Sequence, residues 1–245
     1  GAGKTTALRN SGLQFPYSGG SVKGVGGTRN CEWWLTNEAV LLDTAGRYMT
    51  ADDERDEWLS FLDMLRRNRP EKPLNGVIVA VSVADLLGAR EHEIENMAKR
   101  VRERIDEVMG QLQMTMPIYL LFTKCDLVAG FSEFFGDLRK NERGQIWGFT
   151  WPLGQQLASP GGAFGERFDE LVKVIDQRKF RRLAGEQKLE VREQVFQFPQ
   201  QFAGVKQNLA DFVENLFSTN VYQGAPNFRG VYFTSGTQEG RPIDR

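Results

Sequence analysis

The chain has 245 residues, with 31 Lys and Arg against 32 Asp and Glu and one histidine, so its formal net charge is −1. That length suits one large domain or a domain with an extension. The near-zero charge gives no reason to expect nucleic acid or an anionic membrane as the main partner. Two cysteines cannot build a disulfide framework, and a single His92 in a charged run argues against a Ser-His-Asp hydrolase and a multi-histidine metal site. No apolar run approaches the ~20 residues of a membrane span.

The first half of the chain alternates apolar strand-like runs with helical periodicity, which predicts an α/β fold with a mostly parallel sheet. Two short apolar runs around a polar turn predict an antiparallel hairpin. In chain order we expect a helix from Thr5, the hairpin Cys31–Leu35 and Ala39–Leu42, a helix over Asp52–Arg67, a strand over Gly76–Ser82, a long helix around Ile94–Leu112 and a strand over Pro117–Phe122.

The second half is harder to interpret, because its aromatic residues fall among glycines and prolines. We expect residues 1–128 to form the core domain, 129–194 a helical subdomain, and 195–245 the last core strand and helix with a C-terminal extension. Within these segments we expect a charged helix over Phe164–Leu189, a strand over Val195–Phe198, a helix over Leu209–Phe217 and a strand over Val231–Thr234.

The chain opens with residues that match the second half of the phosphate-binding loop G-x-x-x-x-G-K-[ST]. In such a loop, small residues let backbone N–H groups approach phosphate oxygens. Lys4 would then reach the β- and γ-phosphates, and the Thr5 hydroxyl would bind Mg²⁺. The matching residues are Gly1, Ala2, Gly3, Lys4, Thr5 and Thr6. We therefore expect the loop's first glycine and the strand that feeds it to lie upstream of Gly1.

A second motif is the apolar run Val40–Leu42 followed by Asp43-Thr44-Ala45-Gly46, 39 residues after Lys4. An aspartate at the end of such a strand holds Mg²⁺ in nucleotide-hydrolysing proteins, and the N–H of Gly46 can contact the γ-phosphate. An ordinary strand ending in a turn would also explain the pattern. The preceding hairpin favours the nucleotide interpretation, because Ras-like GTPases use that arrangement.

A third motif follows another strand, where Thr123-Lys124-Cys125-Asp126 is similar to the N/T-K-x-D element of GTPases. There the Asp carboxylate accepts from guanine N1–H and the exocyclic amine, while the Lys stem lies against the base. Adenine cannot satisfy this carboxylate, so Asp126 favours GTP and GDP over ATP and ADP. Three motifs in this order predict a P-loop nucleotide-hydrolase fold with Ras-like topology and a helical extension.

Between the first two motifs, Thr28 occupies the position of a Mg²⁺ ligand that senses the γ-phosphate, and Arg29 is a candidate internal arginine finger or a solvated loop charge. The residue after Gly46 is Arg47, where Ras-type GTPases have the glutamine that orients water. An arginine stabilises phosphate charge but cannot accept from water. With Lys4, Thr28 and Arg47 as the candidate catalytic residues, we expect slow hydrolysis or a switch used mainly for binding.

Two long blocks resemble the IcmF/TssM proteins of type VI secretion systems. They are Gly24–Leu35 running into Asp43–Tyr48, and Gly230–Arg245 at the other end of the chain. The resemblance implies the cytoplasmic nucleotide-hydrolase-like domain of a bacterial inner-membrane protein. It also implies TssL and the lipoprotein TssJ as partners in the membrane complex, with baseplate components on the cytoplasmic side. Membrane attachment would come from segments outside these residues.

Three functions remain open at this point. The first is a nucleotide switch or weak hydrolase within a secretion complex, with GTP favoured, ATP possible and Mg²⁺ as the metal. The second is a scaffold whose GTPase-like fold is vestigial, which Arg47 favours and Lys4 and Asp43 oppose. The third is a soluble GTPase such as a translation or trafficking factor, against which the two family-like blocks argue.

Overall fold

The computed structural model describes residues 2–15, 31–46, 55–139, 141–219 and 226–236. Its helices are α1 (Lys4–Arg9), α2 (Arg55–Asn68), α3 (Val83–Leu87), α4 (Glu91–Leu112), α5 (Phe131–Phe135), α6 (Pro160–Ala184), α7 (Leu189–Gly204) and α8 (Lys206–Phe217). Its strands are β1 (Glu32–Leu35), β2 (Val40–Asp43), β3 (Val77–Ser82), β4 (Pro117–Thr123), β5 (Gly148–Thr150) and β6 (Asn227–Phe233).

The predicted hairpin is confirmed. Strands β1 and β2 pair antiparallel, with Trp33 opposite Leu42 and Glu32 opposite Asp43. The turn closes through Thr36, whose backbone N–H donates to Ala39 O at 2.9 Å and whose hydroxyl oxygen accepts from Ala39 N at the same distance. Because alternate side chains of a strand point to opposite faces, Asp43 shares a face with Trp34 rather than with Trp33.

The main sheet has the order β3-β4-β6-β5. Strands β3, β4 and β6 are parallel, and β5 pairs antiparallel with β6 at one edge. The three parallel strands are the apolar runs predicted over Gly76–Ser82, Pro117–Phe122 and Val231–Thr234. The α/β class is therefore confirmed, with a mixed sheet and packed helices. The finer P-loop and Ras-like topology stays a prediction.

Helix α4 is the long helix predicted from the spacing of its apolar residues. It begins with a capping contact in which the Arg90 backbone N–H donates to Glu93 Oε2 at 2.7 Å, as expected for an acidic residue in a first turn. Its buried face contributes to two clusters. Val101 and Ile105 join the main core beneath the sheet, and Val108 and Leu112 join a second core with α2.

The strand predicted over Val195–Phe198 is wrong, because these residues lie within helix α7. Val195, Phe198, Pro199 and Phe202 are buried at steps of three, one and three residues, which is the spacing of one helical face. Short apolar runs of this kind do not separate a strand from a buried helix segment. The charged helix predicted over Phe164–Leu189 also differs, since α6 ends at Ala184 and α7 begins at Leu189.

The segment after β4 packs onto the sheet rather than away from it. Phe131, Phe168 and Phe202 belong to the same buried cluster as Leu120 and Val231 of the parallel strands. Strand β5, which pairs with β6, also comes from this segment, and no strand was predicted there. The aromatic residues that obscured the sequence pattern are therefore the packing layer between the sheet and α5–α8.

Candidate functional site

Polar loops converge at the edge of the sheet where the parallel strands end. The loop at Ala2–Thr5 meets the carboxyl end of β2 through Thr5 and the carboxyl end of β4 through Ala2. Ligands bind open α/β sheets at this edge, outside the carboxyl ends of the strands. The three predicted motifs therefore lie together, as their positions after strands required.

The residues of the predicted phosphate loop lead into α1, and those that the structure describes are Ala2, Gly3, Lys4, Thr5 and Thr6. Gly3 has φ of 72°, a left-handed conformation that costs a residue with a Cβ more than it costs glycine. The Thr5 hydroxyl donates to Asp43 Oδ2 at 2.6 Å, across 38 residues of sequence. Asp43 is only 3% exposed. This contact joins the first predicted motif to the second.

Thr123, at the end of β4, contacts the Ala2–Thr5 loop through Ala2. Its hydroxyl donates to Ala2 O at 2.7 Å, and its side chain is 2% exposed. It also lies opposite Ser82 in the parallel register of β3 and β4. Thr123 was predicted to be part of a base-recognition element, and the structure adds that it fixes the backbone of the phosphate-loop residues.

The residues that were predicted to recognise a base continue in a tight turn. Lys124 adopts a left-handed conformation with φ of 56°, and the 3₁₀ turn Cys125–Leu127 follows it. Asp126 is half-buried, and its Oδ1 accepts a hydrogen bond from the Ser235 hydroxyl at 2.6 Å. One carboxylate oxygen of Asp126 is thereby oriented by the loop that follows β6.

Ser235 and Gly236 are site residues that the sequence motifs did not identify. Cys125 N donates to Thr234 O at 3.2 Å, and Thr234 N donates to Phe122 O at 2.8 Å, so the loop after β6 runs alongside the loop after β4. A Cβ on Gly236 would overlap the Thr6 side chain of α1. The sequence feature that could have indicated them is the run of small residues Thr234-Ser235-Gly236 at the end of a predicted strand.

Four of the predicted residues, Gly1, Thr28, Arg29 and Arg47, lie outside the described residues. Gly46 is described and exposed, three residues beyond Asp43. The described part of the site therefore contains the Ala2–Thr5 loop, the Asp43 carboxylate and the turn at Lys124–Leu127.

The oxygen atoms at Thr5 and Asp43 suit a small hard cation. Mg²⁺ prefers oxygen ligands and is held through one or two carboxylates together with substrate phosphates. A hydroxyl beside a buried carboxylate supplies that chemistry, so the residues fit the predicted metal. Within the described ranges, no group of three or more His, Cys, Asp or Glu side chains could hold an ion by itself. Phosphate oxygens and water would have to complete the coordination.

The two cysteines differ in burial, since Cys125 is buried in the main core and Cys31 is half-buried. Burial raises the pKa of the Cys125 thiol to about 12, and burial with the nearby Asp43 and Glu32 charges raises the pKa of Cys31 to about 11. Both thiols are therefore protonated at neutral pH, whereas the thiolate is the nucleophilic form. Covalent catalysis by cysteine has no support at this site.

The fold and the site define a class of protein: an α/β domain with a helical extension whose polar loops meet at the carboxyl edge of the sheet. Residues 51–245 match the IcmF-related N-terminal domain. The whole chain is 47% identical over 255 aligned residues to the type VI secretion system component TssM1 of Pseudomonas aeruginosa. The chain belongs to this TssM/IcmF family.

The chain spans 23% of the length of that relative. No solved structure matches the chain. Among the described residues, no helix is long and apolar enough to cross a membrane. The family assignment therefore identifies a domain of a type VI secretion component, and the chemistry of the site has to be argued from its residues.

Proposed function

We propose that this domain binds a nucleotide with Mg²⁺, GTP in preference to ATP, and works as a switch or slow hydrolase within a type VI secretion complex. The observation that carries the proposal is the 2.6 Å hydrogen bond from the Thr5 hydroxyl to Asp43. It brings a Gly-Lys-Thr loop and the aspartate of a second motif to one point, which neither motif requires by itself.

The roles follow from chemistry. Lys4 supplies positive charge to the β- and γ-phosphates, and the backbone N–H groups around Gly3 donate hydrogen bonds to phosphate oxygens. Thr5 and Asp43, together with Thr28, would hold Mg²⁺, and the backbone N–H of Gly46 would contact the γ-phosphate. The metal ion, when bound, neutralises charge on the phosphates.

Guanine preference rests on Asp126, with Thr123 and Lys124 beside it. The Ser235 hydroxyl occupies one position on the Asp126 carboxylate, at 2.6 Å, and the remaining lone pairs are available to two base N–H donors. Adenine presents no such pair of donors and leaves the carboxylate partly unsatisfied. Nucleotide binding without a preference for guanine would argue against this role of Asp126 and would favour ATP as the ligand.

Slow hydrolysis follows from Arg47, which replaces the water-orienting glutamine of Ras-type GTPases. Arginine stabilises charge that develops on phosphate but does not accept a proton or a hydrogen bond from water. In the secretion complex the nucleotide state would then set an affinity for partners. By family resemblance these are TssL, TssJ and the baseplate, with the domain on the cytoplasmic side of the inner membrane.

A scaffold that needs no nucleotide is the second candidate. The presence of Arg47 favours it, because a hydrolytic cycle would be slow. The large aromatic extension also favours it, since α6 and α7 expose Phe180 and Phe196. In a scaffold, the hydrogen bond from Thr5 to Asp43 would serve only to hold the Ala2–Thr5 loop in place.

The test is a titration of GTP, GDP, ATP and ADP, each with Mg²⁺, into the polypeptide with the residues that precede Gly1. Lys4→Ala removes charge-assisted contacts worth about 1.5–3 kcal/mol, so we expect affinity to fall about 10- to 100-fold. Asp126→Asn should lower GTP affinity and raise affinity for xanthosine triphosphate, whose C2 carbonyl accepts from the asparagine amide. The matched control is Lys72→Ala, which removes an exposed lysine away from the site.

Equal binding by the wild type and Lys4→Ala would reject the site. Unchanged GTP selectivity in Asp126→Asn would reject guanine recognition while leaving the phosphate site intact. Absence of binding at millimolar nucleotide would leave the scaffold as the function.

A further inference from the structure

Helices α6 and α7 expose an apolar surface. Phe180 of α6 and both Leu189 and Phe196 of α7 are 60–80% exposed. The Lys179 ammonium lies 5.2 Å from the ring centre of Phe180 and 4.9 Å from that of Phe196, so the two rings border one surface. Asp176 pairs with this ammonium at 2.6 Å and balances its charge. Leu189 precedes Phe196 by seven residues and therefore lies on the same face of α7. We call Phe180, Leu189 and Phe196 the apolar patch.

The segment around this patch is basic although the whole chain is nearly neutral. Residues 173–192 contain seven Lys and Arg against three Asp and Glu, a net charge of +4, whereas the chain has −1. Lys173 is exposed and precedes Phe180 by seven residues, on the same face of α6. Lys188 is exposed and adjoins Leu189. Apolar side chains among exposed cations are complementary to a partner surface that is apolar and acidic.

A groove of this complementary character lies between α3 and α4 of the same chain. Its volume is about 500 Å³, enough to receive an aromatic side chain. Met97 contributes apolar surface to its wall, and the carboxylates of Asp85 and Glu93 outnumber the one guanidinium, that of Arg100. Residues 85–95 contain four Asp and Glu against one Arg, a net charge of −3. The α3–α4 groove is therefore concave, partly apolar and acidic.

The apolar patch and the α3–α4 groove face away from each other across the layer of helices. Helix α8 packs between α4 and α6, and α7 packs on α6. On α4, Arg102 faces α8 and donates to Leu216 O at 3.0 Å. Glu93 and Arg100 lie about 160–180° around α4 from Arg102, so the groove opens on the side away from α8. Because α8 and α6 stand between the two surfaces, one chain cannot place its own patch in its own groove, whereas two copies can join them.

We propose that the apolar patch of one copy docks into the α3–α4 groove of a second copy. The rings of the patch contact Met97, while Lys173 and Lys188 approach the carboxylates of Asp85 and Glu93. Each copy uses two different surfaces, so the contact is heterologous and joins copies into a ring or a row rather than a two-fold dimer. The contact requires no nucleotide and is therefore independent of the proposed binding function.

The test is cross-linking between copies of the full polypeptide, without nucleotide, by a short bismaleimide reagent. One preparation carries Gln200→Cys, at an exposed position one turn after Phe196 on α7. The other carries Asn96→Cys, at an exposed position in the wall of the groove. We expect a covalent dimer in the mixture and far less in either preparation alone. The single preparations also control for the two native cysteines, which both contain.

A substitution in the patch tests its contribution to this contact. Phe196→Ser in the Gln200→Cys protein should lower the yield of mixed dimer about tenfold, because it removes one of the two exposed rings. The matched control is Leu153→Ser, which removes another exposed apolar side chain outside the patch. It should leave the yield unchanged, and an equal loss in the two variants would overturn the proposal.

A charge reversal tests the groove. Asp85→Lys in the Asn96→Cys protein should also lower the yield, and Glu93 is left intact because it accepts a hydrogen bond from the backbone at the start of α4. Reversal of Lys173 and Lys188 to glutamate in the other protein should then restore the mixed dimer, since opposite charges face each other again. Failure of this restoration would count against the docking mode.

Other occupants of the patch give different results. A dimer formed by the Gln200→Cys protein alone would indicate contact between two patches and would overturn the head-to-tail arrangement. Absence of any mixed dimer would overturn the proposal as well. Binding of the same protein to vesicles of phosphatidylglycerol and phosphatidylethanolamine, lost in Phe196→Ser, would then assign the patch to an anionic lipid surface.

Discussion

At the scale of single residues, Thr123 does more than its position in a base-recognition motif indicates. Its buried hydroxyl donates to Ala2 O at 2.7 Å and lies 3.4 Å from Val81 O. The side chain therefore connects the loop of the first motif, strand β3 and the turn that contains Asp126. A hydroxyl at this position stabilises the site before any ligand binds.

Removing this hydroxyl should destabilise the domain. Thr123→Val keeps the shape but leaves Ala2 O without its donor, so we expect a loss of about 1–3 kcal/mol in the free energy of unfolding. Urea denaturation measures it. Thr123→Ser keeps the hydroxyl and is the matched control. Equal stability of the valine variant and the wild type would show that the contact contributes nothing.

Ser235 illustrates where residue-level prediction from sequence stops. Lys4, Thr5, Asp43 and Asp126 were identified because each stands in a motif with fixed spacing, and the structure brings the Thr5 and Asp43 side chains into contact. Ser235 reaches Asp126 across 109 residues, and only the pairing of β4 with β6 brings the two loops together. Strand order within a sheet is a tertiary property that no local pattern encodes.

At the scale of elements, the longest patterns and the hairpin were predicted correctly, whereas two short segments in the second half of the chain were not. Helix α4 and strands β3 and β4 were identified because their patterns are long or continuous. Val195–Phe198 was assigned to a strand although it forms one face of α7, and β5 was missed because three residues with a glycine give no pattern. Both errors lie where packing against the sheet decides the conformation.

The close approach of α5 and α7 gives a prediction at this scale. Gly130 precedes α5 with φ of 81°, and a Cβ there would lie 2.5 Å from Gln194 O. Gly154 has the same φ, but nothing lies within 4 Å of its Cβ position. Gly154→Ala should lower the free energy of unfolding by about 1 kcal/mol through backbone strain alone. Gly130→Ala should lower it by about 1–3 kcal/mol more, because its Cβ would also overlap Gln194 O.

Thermal or urea unfolding of the two variants measures this difference. The comparison is matched, since both substitutions add the same methyl group to a residue with φ of 81°. Identical losses of stability in the two variants would contradict the prediction. They would mean that α7 can move away from Gly130 without a loss in the free energy of unfolding.

At the scale of the whole molecule, the sheet and the helical extension share one core. Val81 and Phe122 from the strands are buried in the same cluster as Phe168, Phe198 and Phe212 from the helices. The second core is joined to it through α4, which contributes buried residues to both. The extension is therefore expected to fold with the sheet rather than as an independent unit.

We expect a single cooperative unfolding transition. Trp58 reports on the second core and Trp151 on the main core, so two variants that each retain one of these tryptophans allow the cores to be followed separately by fluorescence in urea. Coincident midpoints would support one cooperative unit. Separate midpoints would show that α2 and the hairpin unfold independently of the sheet.

The approach of Gly236 to Thr6 has a mechanical consequence. The backbone at Gly236 lies against the Thr6 side chain, so the loop after β6 and helix α1 meet at one edge of the sheet. In a longer polypeptide under tension, a pull between these two points would be carried across α1 and the short loops, while strands β4 and β6 would bear little shear. Such a pull would therefore load the packing between the loop after β6 and α1 first, before it loaded the paired strands of the sheet.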